Sequence, residues 1–542
     1  MKNPLTIYRQ RILSVEKGRY LLNPEGKVKS IVVYPNYYRV GSSNLGFQSV
    51  YGILNEKRNI ICDRAFLPDN DLEEWFEKKG NYLHSLDTFK PIRDFQLIFF
   101  SISFENDYLN VLKIIKYSGL DLLSNQRDEN TPLIIAGGIA VSANPEPIAD
   151  FIDVFLLGDA EVLLNSFCEE IIDAAGGEGK EFFLKIFKKL KGAYIPNDSI
   201  NMESERKVEV KRLQNMEESS SYSRIISPLT EFSSMHLVEM SRGCASSCRF
   251  CLLGNYYGKP RMKSIDKLFE HIDSRLLYTH KIGLISCFIG RGDYINNLSK
   301  GIKERKLSAS FSSIRFEDLN DEFVKLIAES GQKTVTLAPE CGDESLRNKA
   351  GKQIEDDVII KGIISLAKAG IRSIKLYFMI GFPGETTDDL KAIYKLVKKI
   401  NNEGERNNLN FQIFISASSF VPKAFTPLQW SAMEDERRLK EKISLLRNLF
   451  AKINNVRFNC DLPKFAKIQA LLSRGDRKVG RILQNAFSYK GDWRRAMRES
   501  DVNADYYVYR TRKKDEIFPW DFIDTGTKKS DLYAVYEKYF KN

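Results

Sequence analysis

Three of the eight cysteines crowd into one short stretch, as Cys244, Cys248 and Cys251. Their spacing, C-x3-C-x2-C, puts three sulfurs on one compact loop. Thiolates are the usual protein ligands of iron–sulfur clusters. A four-iron cluster that is held by three cysteines keeps one iron open, and an open iron is what a chelating small molecule needs. The spacing therefore indicates a [4Fe-4S] cluster with one coordination position left for such a molecule.

A zinc site is the alternative interpretation of the same cysteines. Structural zinc takes four protein ligands, commonly as paired cysteines and histidines. The sequence has no second pair of this kind, and its four histidines are dispersed. The other five cysteines are scattered singly, which disfavours a disulfide framework. Zinc is accordingly the less favoured interpretation.

The segment from Arg242 to Cys251 resembles the cluster loop of the radical SAM superfamily, and Phe250 matches the aromatic residue that precedes the third cysteine there. The resemblance implies that S-adenosylmethionine (SAM) occupies the open iron through its amino and carboxylate groups. In that superfamily the reduced cluster cleaves SAM to methionine and a 5′-deoxyadenosyl radical, which takes hydrogen from a substrate. The resemblance also implies a reducing electron donor of the flavodoxin or ferredoxin type. The cofactors supply this chemistry, and the protein positions them.

A segment further along the chain resembles the strand end that binds SAM in the methylthiotransferase-like and coproporphyrinogen-oxidase-like branches. Glu340, in Ala-Pro-Glu-Cys-Gly, is similar to the residue that binds the SAM ribose in those branches. They often carry an arginine twelve positions later for the SAM carboxylate, and this sequence has Lys352 there. Lysine keeps the charge but lacks the planar fork of arginine, so the nearby Arg347 competes for the role. A plain carboxylate at a helix N-terminus is the alternative interpretation of Glu340.

The loop around Gly381 and Pro383 resembles the segment that packs against adenine, since its glycines let the backbone approach a ligand closely. Thr386 is expected to cap the helix that follows. The superfamily's Gly-Gly-Glu motif, whose backbone meets the SAM amino group, is degenerate here and includes Gly290 and Gly292. Each feature is weak alone, and their order behind the cysteine loop makes the set specific.

Short apolar runs that alternate with helical patterns position these motifs, which is typical of parallel α/β folds. Six such runs follow residue 235, and we predict that they form a partial TIM-type (β/α)6 barrel. In barrels of this kind the chemistry lies at the carboxyl ends of the strands. The predicted barrel strands are residues 236–240, 283–288, 309–314, 334–338, 374–380 and 411–416.

The N-terminal part carries a second α/β pattern, and we predict a Rossmann-like domain. Its predicted strands are residues 30–34, 95–101, 132–136 and 154–157. The strand pattern, Ser101-Ile-Ser103 and Gly137-Gly138 resemble the cobalamin-binding domain that precedes many radical SAM barrels. Glycines after strands are expected at the carboxyl edge of the sheet, where open α/β sheets bind ligands.

The lower-ligand motif of that domain, Asp-x-His-x-x-Gly, is absent, because residues 35–41 contain no histidine. Two alternatives stay open. Either the domain binds cobalamin without a protein axial ligand, or it binds no corrin and serves as a lid or a substrate platform. The missing histidine favours the second. Cobalamin binding would favour methyl transfer to an unactivated carbon, and without cobalamin the reaction type stays open.

Five segments are predicted along the chain. They are an N-terminal extension (1–27), a cobalamin-binding-like α/β domain (28–195), a linker (196–232), a radical SAM barrel (233–430) and a mainly helical C-terminal domain (431–542). Helices are predicted at residues 434–452 and 478–500. The chain resembles radical SAM proteins that fuse the two domains and carry an Arg-Gly-Asp-Arg stretch, here 474–477, and a Pro-Trp-Asp stretch, here 519–521. A buried, ion-paired turn is expected at the former.

The composition bears on partners and location. The 542 residues carry a net charge of +11, which indicates an anionic partner such as tRNA or a nucleotide, although a Lys-rich surface also serves solubility alone. We find no apolar run long enough to span a membrane. The N-terminus has no apolar segment typical of a secretory signal, so the cytoplasm is the expected location.

Three hypotheses of function follow. The first is a radical SAM enzyme that acts on an unknown small-molecule or tRNA substrate, with methyl transfer as a candidate reaction. The second is a tRNA- or nucleotide-modifying enzyme; sulfur insertion is disfavoured, because methylthiotransferases carry an additional N-terminal cysteine triplet, and here only Cys62 and Cys168 precede the barrel. The third is a non-catalytic, metal-stabilised binding protein, which the SAM motifs disfavour. The sequence identifies no catalytic side chain.

Overall fold

The computed structural model describes residues 3–78, 80–173, 179–197, 207–312 and 314–541. Within them, two α/β units follow one another along the chain, and a mainly helical region completes the C-terminal part. The mixed α/β class expected from the sequence is confirmed. No helix in the described part of the chain is long and apolar enough to cross a bilayer.

The N-terminal sheet has six strands, and the first five in the chain are parallel. They are β1 (Val28–Tyr37), β2 (Ile60–Leu67), β3 (Leu97–Ser101), β4 (Leu133–Gly137), β5 (Val154–Leu156) and β6 (Ala193–Tyr194). Their order is β2-β1-β3-β4-β5-β6, with β6 antiparallel to β5. The order reverses between β1 and β3, and such a reversal opens a crevice at the carboxyl ends of the strands.

Helices cover both faces of this sheet. Alternate residues of β1 enter two separate hydrophobic clusters, since Ile31 and Val33 pack into one and Val32 packs into the other. Burial on both faces explains the continuous apolar run of this strand. The helices of the unit are Pro4–Leu13, Tyr38–Gly41, Leu45–Asn55, Glu73–Phe76, Tyr108–Tyr117, Ile139–Ala143, Ala160–Asp173 and Lys180–Lys189.

Strand β2 was not expected from the sequence, because Asp63 and Arg64 interrupt its apolar run. Both residues are fully buried. The Arg64 guanidinium lies 2.8 Å from Glu16 Oε1 and 2.7 Å from Asp87 Oδ1. Buried charges persist where they are paired in this way, and their partners come from distant segments. A charged pair inside a strand therefore hid β2 from the apolar pattern.

Among its described residues the second unit has nine strands. Seven of them pair in parallel, and the other two, β9 and β10, form a short antiparallel pair. The nine strands are β8 (His236–Glu239), β9 (Ser241–Arg242), β10 (Arg261–Met262), β11 (Lys281–Ile285), β12 (Ser308–Phe311), β13 (Thr334–Glu340), β14 (Ser373–Ile380), β15 (Gln412–Ser419) and β16 (Val456–Cys460). Strands β12-β11-β8 form one sheet and β13-β14-β15-β16 another. A parallel bridge between Ile314 and Leu337 links the two sheets. The partial (β/α)6 barrel stays a prediction.

The sheet β13–β16 buries one face and exposes the other. In β14, Ile374, Leu376 and Phe378 are buried, whereas Tyr377 between them is 37% exposed. This two-residue alternation is typical of a sheet that is covered by helices on one side only. The helices of the unit are Leu252–Tyr257, Ile265–Asp273, Asp293–Glu304, Asp321–Glu329, Glu344–Lys349, Asp356–Lys368, Thr387–Arg406 and Glu436–Phe450.

The C-terminal range differs from the prediction in two ways. Strand β16 lies within it and pairs with β15, so this part of the chain adds a seventh strand to the six predicted. The helix predicted at 478–500 is wrong as one element, because Lys490 and Gly491 take positive φ angles of 51° and 91° and divide it. The helix predicted at 434–452 is confirmed. The helices that follow β16 are Pro463–Arg474, Val479–Ser488, Trp493–Arg498, Ala504–Val508 and Lys529–Lys541.

Of the contacts that tie the C-terminal region to the rest of the chain, two bear on segments singled out in the sequence. Strand β7 (Val208–Glu209), in the range predicted as a linker, pairs in parallel with β17 (Ile523–Asp524). The expected buried, ion-paired turn at Arg-Gly-Asp-Arg is met in part: Arg474 is 1% exposed and donates to backbone carbonyls, whereas the half-buried Arg477 has its Nε 3.3 Å from Glu146 Oε2. Residues 198–206 of the predicted linker lie outside the described residues. The segment boundaries themselves stay a prediction.

Candidate active site at the cysteine loop

The three cysteines lie on one loop, residues 243–260, between the paired strands β9 and β10. At its start, Gly243 has a φ of 90°, and a Cβ there would lie 2.5 Å from the carbonyl oxygen of Lys259. Only glycine tolerates both conditions without strain. The Cys244 N–H donates to the carbonyl of Gly258 at 3.0 Å, which closes the loop on itself.

Backbone and side-chain amides surround the sulfurs and hold the loop. The N–H of Ser246 lies 3.4 Å from Cys244 Sγ, and backbone N–H groups of the helix Leu252–Tyr257 donate to the Cys251 sulfur. The first N–H groups of a helix have no partner within the helix and suit an anionic ligand. Asn255 Nδ2 donates to the carbonyl of Cys251 at 2.7 Å. Burial nevertheless raises the pKa of the Cys251 thiol, and these hydrogen bonds offset that effect in part.

The three thiols lie close enough to influence one another. Burial raises the pKa of Cys248 to about 12; the nearby Lys352 lowers it, and the Cys251, Glu340 and Cys244 side chains raise it further. Among the described residues, no three Cys, His, Asp or Glu side chains converge on a position for one metal ion. A positively charged metal centre at this loop would offset the mutual repulsion of the three thiolates.

A fourth cysteine, Cys287, faces the same loop and was not singled out from the sequence. Burial raises its pKa to about 12, and the thiols of Cys244 and Cys251 contribute. Cys287 follows β11, whose end residue Ile285 pairs with Glu239 of β8. Because the parallel strand ends meet at one edge, the residue after β11 reaches the loop after β8. An isolated cysteine gave no signal of this proximity.

Phe250 and the loop at Gly381 and Pro383 meet in the structure. The ring of Phe250 lies 5.5 Å from that of Phe382 in an edge-to-face contact, and Phe382 stacks on Phe420 at 5.4 Å. These separations fall in the range of favourable aromatic pairs. The predicted cluster-loop aromatic and the predicted adenine-packing loop therefore form one continuous wall, to which the segment after β15 contributes.

The glycine loop is fixed by contacts from two later helices. The Gly381 N–H donates to the Glu385 carboxylate at 2.8 Å, and Lys442 lies 2.7 Å from the same carboxylate. The Tyr539 hydroxyl donates to the Pro383 carbonyl at 2.9 Å. Sequence reasoning missed Tyr539, since it lies in the last helix of the described chain. The predicted cap at Thr386 is confirmed as a capping box.

Glu340 and Lys352 form a pair beside the cysteine loop. Lys352 Nζ lies 3.5 Å from Glu340 Oε1, and both side chains are largely buried. Burial raises the pKa of Glu340, which the Lys352 ammonium lowers in part. Glu340 has a φ of 68°, a left-handed conformation that costs a non-glycine residue energy. Such strain at the end of β13 is typical of a ligand-binding position.

Arg347, the competing candidate, is occupied elsewhere. Its side chain is fully buried, donates to the carbonyls of Ile354 and Cys341 at 2.7 and 2.8 Å, and pairs with Asp356 at 2.6 Å. These bonds occupy the guanidinium group of Arg347, which stabilises the turn after the helix Glu344–Lys349. Lys352 is consequently the cation that faces Glu340.

Gly290 and Gly292 lie in the turn after β11, before the helix Asp293–Glu304. Both have positive φ angles, 86° and 56°. A Cβ on Gly290 would lie 3.2 Å from Met262, which belongs to β10 at the end of the cysteine loop. The turn thus borders the base of the loop, and its backbone conformation requires glycine.

A cavity of about 290 Å³ lies where the carboxyl edges of the two units face each other. Ser101, Gly138 and Asp159 line it from the N-terminal sheet, and Glu239 and Arg242 line it from the second unit. It occupies the crevice that the strand order of the N-terminal sheet creates. The cavity therefore reaches from the N-terminal domain to within two residues of Cys244.

Comparisons with known proteins agree with this geometry. Residues 46–196 match the family model of radical SAM proteins, N-terminal, and residues 238–397 match that of the radical SAM superfamily. An uncharacterised protein of Methanocaldococcus jannaschii is 28% identical over 83% of this chain and 90% of its own length.

Two further relatives match over a shorter part. An uncharacterised methyltransferase of Pyrococcus horikoshii is 27% identical over 49% of this chain and 58% of its own length. The ribosomal protein uS12 methylthiotransferase RimO of Clostridium acetobutylicum is 24% identical over 44% of this chain and 54% of its own length. The chain thus spans little more than half of these two relatives. By the two family models and these relatives, the chain belongs to the radical SAM superfamily and is an enzyme of that class.

Proposed function

We propose that Cys244, Cys248 and Cys251 bind three irons of a [4Fe-4S] cluster and that SAM binds between this cluster and the carboxyl ends of β13 and β14. The proposal rests on one observation: the cysteine loop lies beside both the Glu340–Lys352 pair and the loop that contains Phe382. These elements come from three separate parts of the chain. A reduced cluster held by these cysteines would supply the one electron that the cleavage of SAM to methionine and a 5′-deoxyadenosyl radical requires.

The residues around the loop have distinct proposed roles. Lys352 offers its ammonium to the SAM carboxylate, and Glu340 accepts hydrogen bonds from the ribose hydroxyls. The backbone near Gly381 and Pro383, with Phe250 behind it, packs against the adenine. Gly290 and Gly292 leave backbone groups accessible to the SAM amino group. A hydrogen bond from a charged donor, such as the Lys352 ammonium, to the SAM carboxylate would contribute about 1.5–3 kcal/mol to binding.

Anaerobic reconstitution tests this proposal. The protein is loaded with iron and sulfide, its absorbance is recorded, and 5′-deoxyadenosine is assayed after dithionite and SAM are added. We expect a cluster band and 5′-deoxyadenosine in the wild type, and neither in Cys248→Ala. Cys460→Ser, in β16, is the matched control and should keep both. A colourless protein that holds zinc and releases no 5′-deoxyadenosine would refute the proposal.

We propose methyl transfer as a candidate reaction, in which a second SAM would supply the methyl group and leave as S-adenosylhomocysteine; the methyltransferase among the relatives supports it. The N-terminal sheet and its carboxyl-edge glycines support a cobalamin-binding-like domain. The sequence offers no lower axial ligand for cobalamin in this domain, since residues 35–41 carry no histidine. We therefore propose that this domain holds the substrate rather than a corrin. A corrin spectrum retained after purification with cobalamin would overturn that assignment.

A nucleotide or tRNA substrate is the second candidate, and the open face of β14–β16 favours it. Phe414 is 40% exposed and pairs in register with Lys375 on one side and Arg457 on the other. Tyr377, 37% exposed, follows on the same face of β14. Exposed rings that are flanked by cations suit stacked bases and phosphates.

Binding of adenosine monophosphate and of bulk tRNA tests this second candidate. We expect at least one of the two probes to bind Phe414→Ala and Arg457→Met about 10-fold more weakly than it binds the wild type, since a stacked base contributes about 1–3 kcal/mol. Lys395→Met, on the helix-covered side of the sheet, is the matched control. Equal binding by all three variants would exclude this face as the nucleotide site.

A further inference from the structure

Arg242 is the centre of a buried ion-pair network. Its Nη1 lies 3.0 Å from Asp159 Oδ1, and its Nη2 lies 2.9 Å from Glu161 Oε1. Nε and Nη2 also reach the two carboxylate oxygens of Glu239, at 3.1 and 2.7 Å. None of the four side chains is more than 14% exposed. The guanidinium thus holds three carboxylates at once.

The three carboxylates come from different parts of the molecule. Asp159 follows β5 and Glu161 lies in the next helix, so both belong to the N-terminal unit. Glu239 ends β8 of the second unit. The network also binds the segment between the units, since Leu213 N–H donates to Asp159 at 2.8 Å and Ser219 Oγ to Glu161 at 3.3 Å. Arg242 therefore joins both α/β units and the segment between them.

The same arginine lies at the base of the cysteine loop. Only Gly243 separates it from Cys244. Arg242 pairs with Arg261 across β9 and β10, where the loop leaves and re-enters the strands. The five donors of a guanidinium lie in one plane, so its bonds to fixed carboxylates set an orientation as well as a position. The place of the first cysteine is thereby tied to the N-terminal unit.

We infer that Arg242 is a positioning residue through which the N-terminal unit, by Asp159 and Glu161, holds the cysteine loop in the geometry that SAM binding needs. The inference rests on the proposed function, because it presupposes the cluster at the three cysteines. It also implies that a ligand in the cavity can act on the cysteine loop. Arg242, Glu161 and Glu239 line that cavity, so a molecule bound there touches the residues that orient the cluster loop.

The sharpest variant is Glu161→Gln, because Glu161 lies in the other unit and forms its ion pair with Arg242. It removes one charge and keeps the shape of the side chain. We expect about a 10-fold weaker affinity of the reconstituted protein for SAM, the lower end of what loss of an outer-shell partner costs at metal sites. We also expect a changed electron paramagnetic resonance spectrum of the reduced cluster with SAM. Arg242→Lys should show both effects, since it keeps the charge but not the fork.

Glu146→Gln is the matched control. Glu146 is also a carboxylate of the N-terminal unit that pairs with an arginine of a later region, Arg477, at 3.3 Å. We expect this variant to keep the wild-type SAM affinity and spectrum, even where it lowers the melting temperature as much as Glu161→Gln does. Arg242→Met risks unfolding, because it leaves three buried carboxylates without their partner, so the conclusion does not depend on it.

The outcomes separate this inference from the proposed function. A wild type that forms no cluster and cleaves no SAM refutes the proposed function. A wild type that does both, with Glu161→Gln and Arg242→Lys equal to it in SAM affinity and spectrum, overturns the positioning role alone. Equal effects of Glu161→Gln and Glu146→Gln on SAM affinity would also overturn it, because any contact between the units would then suffice.

Discussion

The ammonium group of Lys352 lies 3.5 Å from the carboxylate of Glu340, beside the cysteine loop. Their charges act on Cys248 in opposite directions, since Lys352 lowers its pKa and Glu340 raises it. The contact depends on the turn that follows Arg347, where the Arg249 N–H of the cysteine loop donates to the carbonyl of Ala350 at 2.8 Å. One backbone hydrogen bond thus brings the loop and the charged pair together.

Replacing Lys352 is expected to weaken SAM binding. Lys352→Met should lower the affinity of the reconstituted protein for SAM by about 10- to 100-fold, since a charged hydrogen bond contributes about 1.5–3 kcal/mol. Lys352→Arg keeps the charge and should stay near the wild type. Equilibrium dialysis with labelled SAM measures the effect, and Lys361→Met, on an outer helix, is the control. Unchanged affinity in Lys352→Met would remove Lys352 from the proposed site.

The two glycines that bound the cysteine loop should differ in their tolerance of a side chain. Gly243→Ala should lower the iron content after reconstitution, because the new Cβ would lie 2.5 Å from the Lys259 carbonyl. Gly258 also has a positive φ, 72°, but a Cβ there meets nothing within 4 Å. Gly258→Ala is therefore strained by its backbone conformation alone, and it should lose less iron than Gly243→Ala, which adds the clash. Equal iron content in both variants would show that the loop adapts to the clash.

The last helix should contribute to the SAM site through Tyr539. Tyr539→Phe removes the hydrogen bond to the Pro383 carbonyl and should weaken SAM binding by about 5-fold, in line with about 1 kcal/mol for a neutral hydrogen bond. Tyr506→Phe, at a side chain that is 52% exposed, is the control. Isothermal titration with SAM distinguishes them. If Tyr539→Phe and Tyr506→Phe bind SAM with the same affinity, Tyr539 contributes only to the stability of the fold.

Acid should destabilise the fold in part through His236. Burial lowers the pKa of His236 to about 4, whereas an unfolded histidine titrates near 6.5. As the pH falls from about 6.5 towards 4, the unfolded state binds this proton first, so the free energy of unfolding falls by up to about 1.4 kcal/mol per pH unit from this group. Above that window the contribution is constant.

His236→Gln should therefore lose less stability than the wild type between pH 7.5 and 4.5. Denaturant unfolding at both pH values measures the difference, and His280→Gln, at an exposed position, is the control. A stability gap between wild type and His236→Gln that is the same at both pH values would contradict the assignment.

Local features of the chain were predictable because neighbouring residues produce them. The spacing of Cys244, Cys248 and Cys251 defines one loop, and Thr386 caps its helix through residues three positions away. Strands β3 and β4 followed from their apolar runs. Strand β2 did not, because its buried Arg64 is stabilised by Glu16 and Asp87, which no local pattern relates to it.

The sequence by itself determined that three cysteines share one loop and where the surrounding strands lie along the chain, because these features depend on short spacing and on apolar periodicity. Only the tertiary structure decided which charges face that loop. It placed Lys352 against Glu340, engaged Arg347 in backbone bonds, and set Arg242 among three carboxylates. Those contacts join segments that are far apart in the chain. Long charged side chains reach any of several partners, and only packing in three dimensions selects among them.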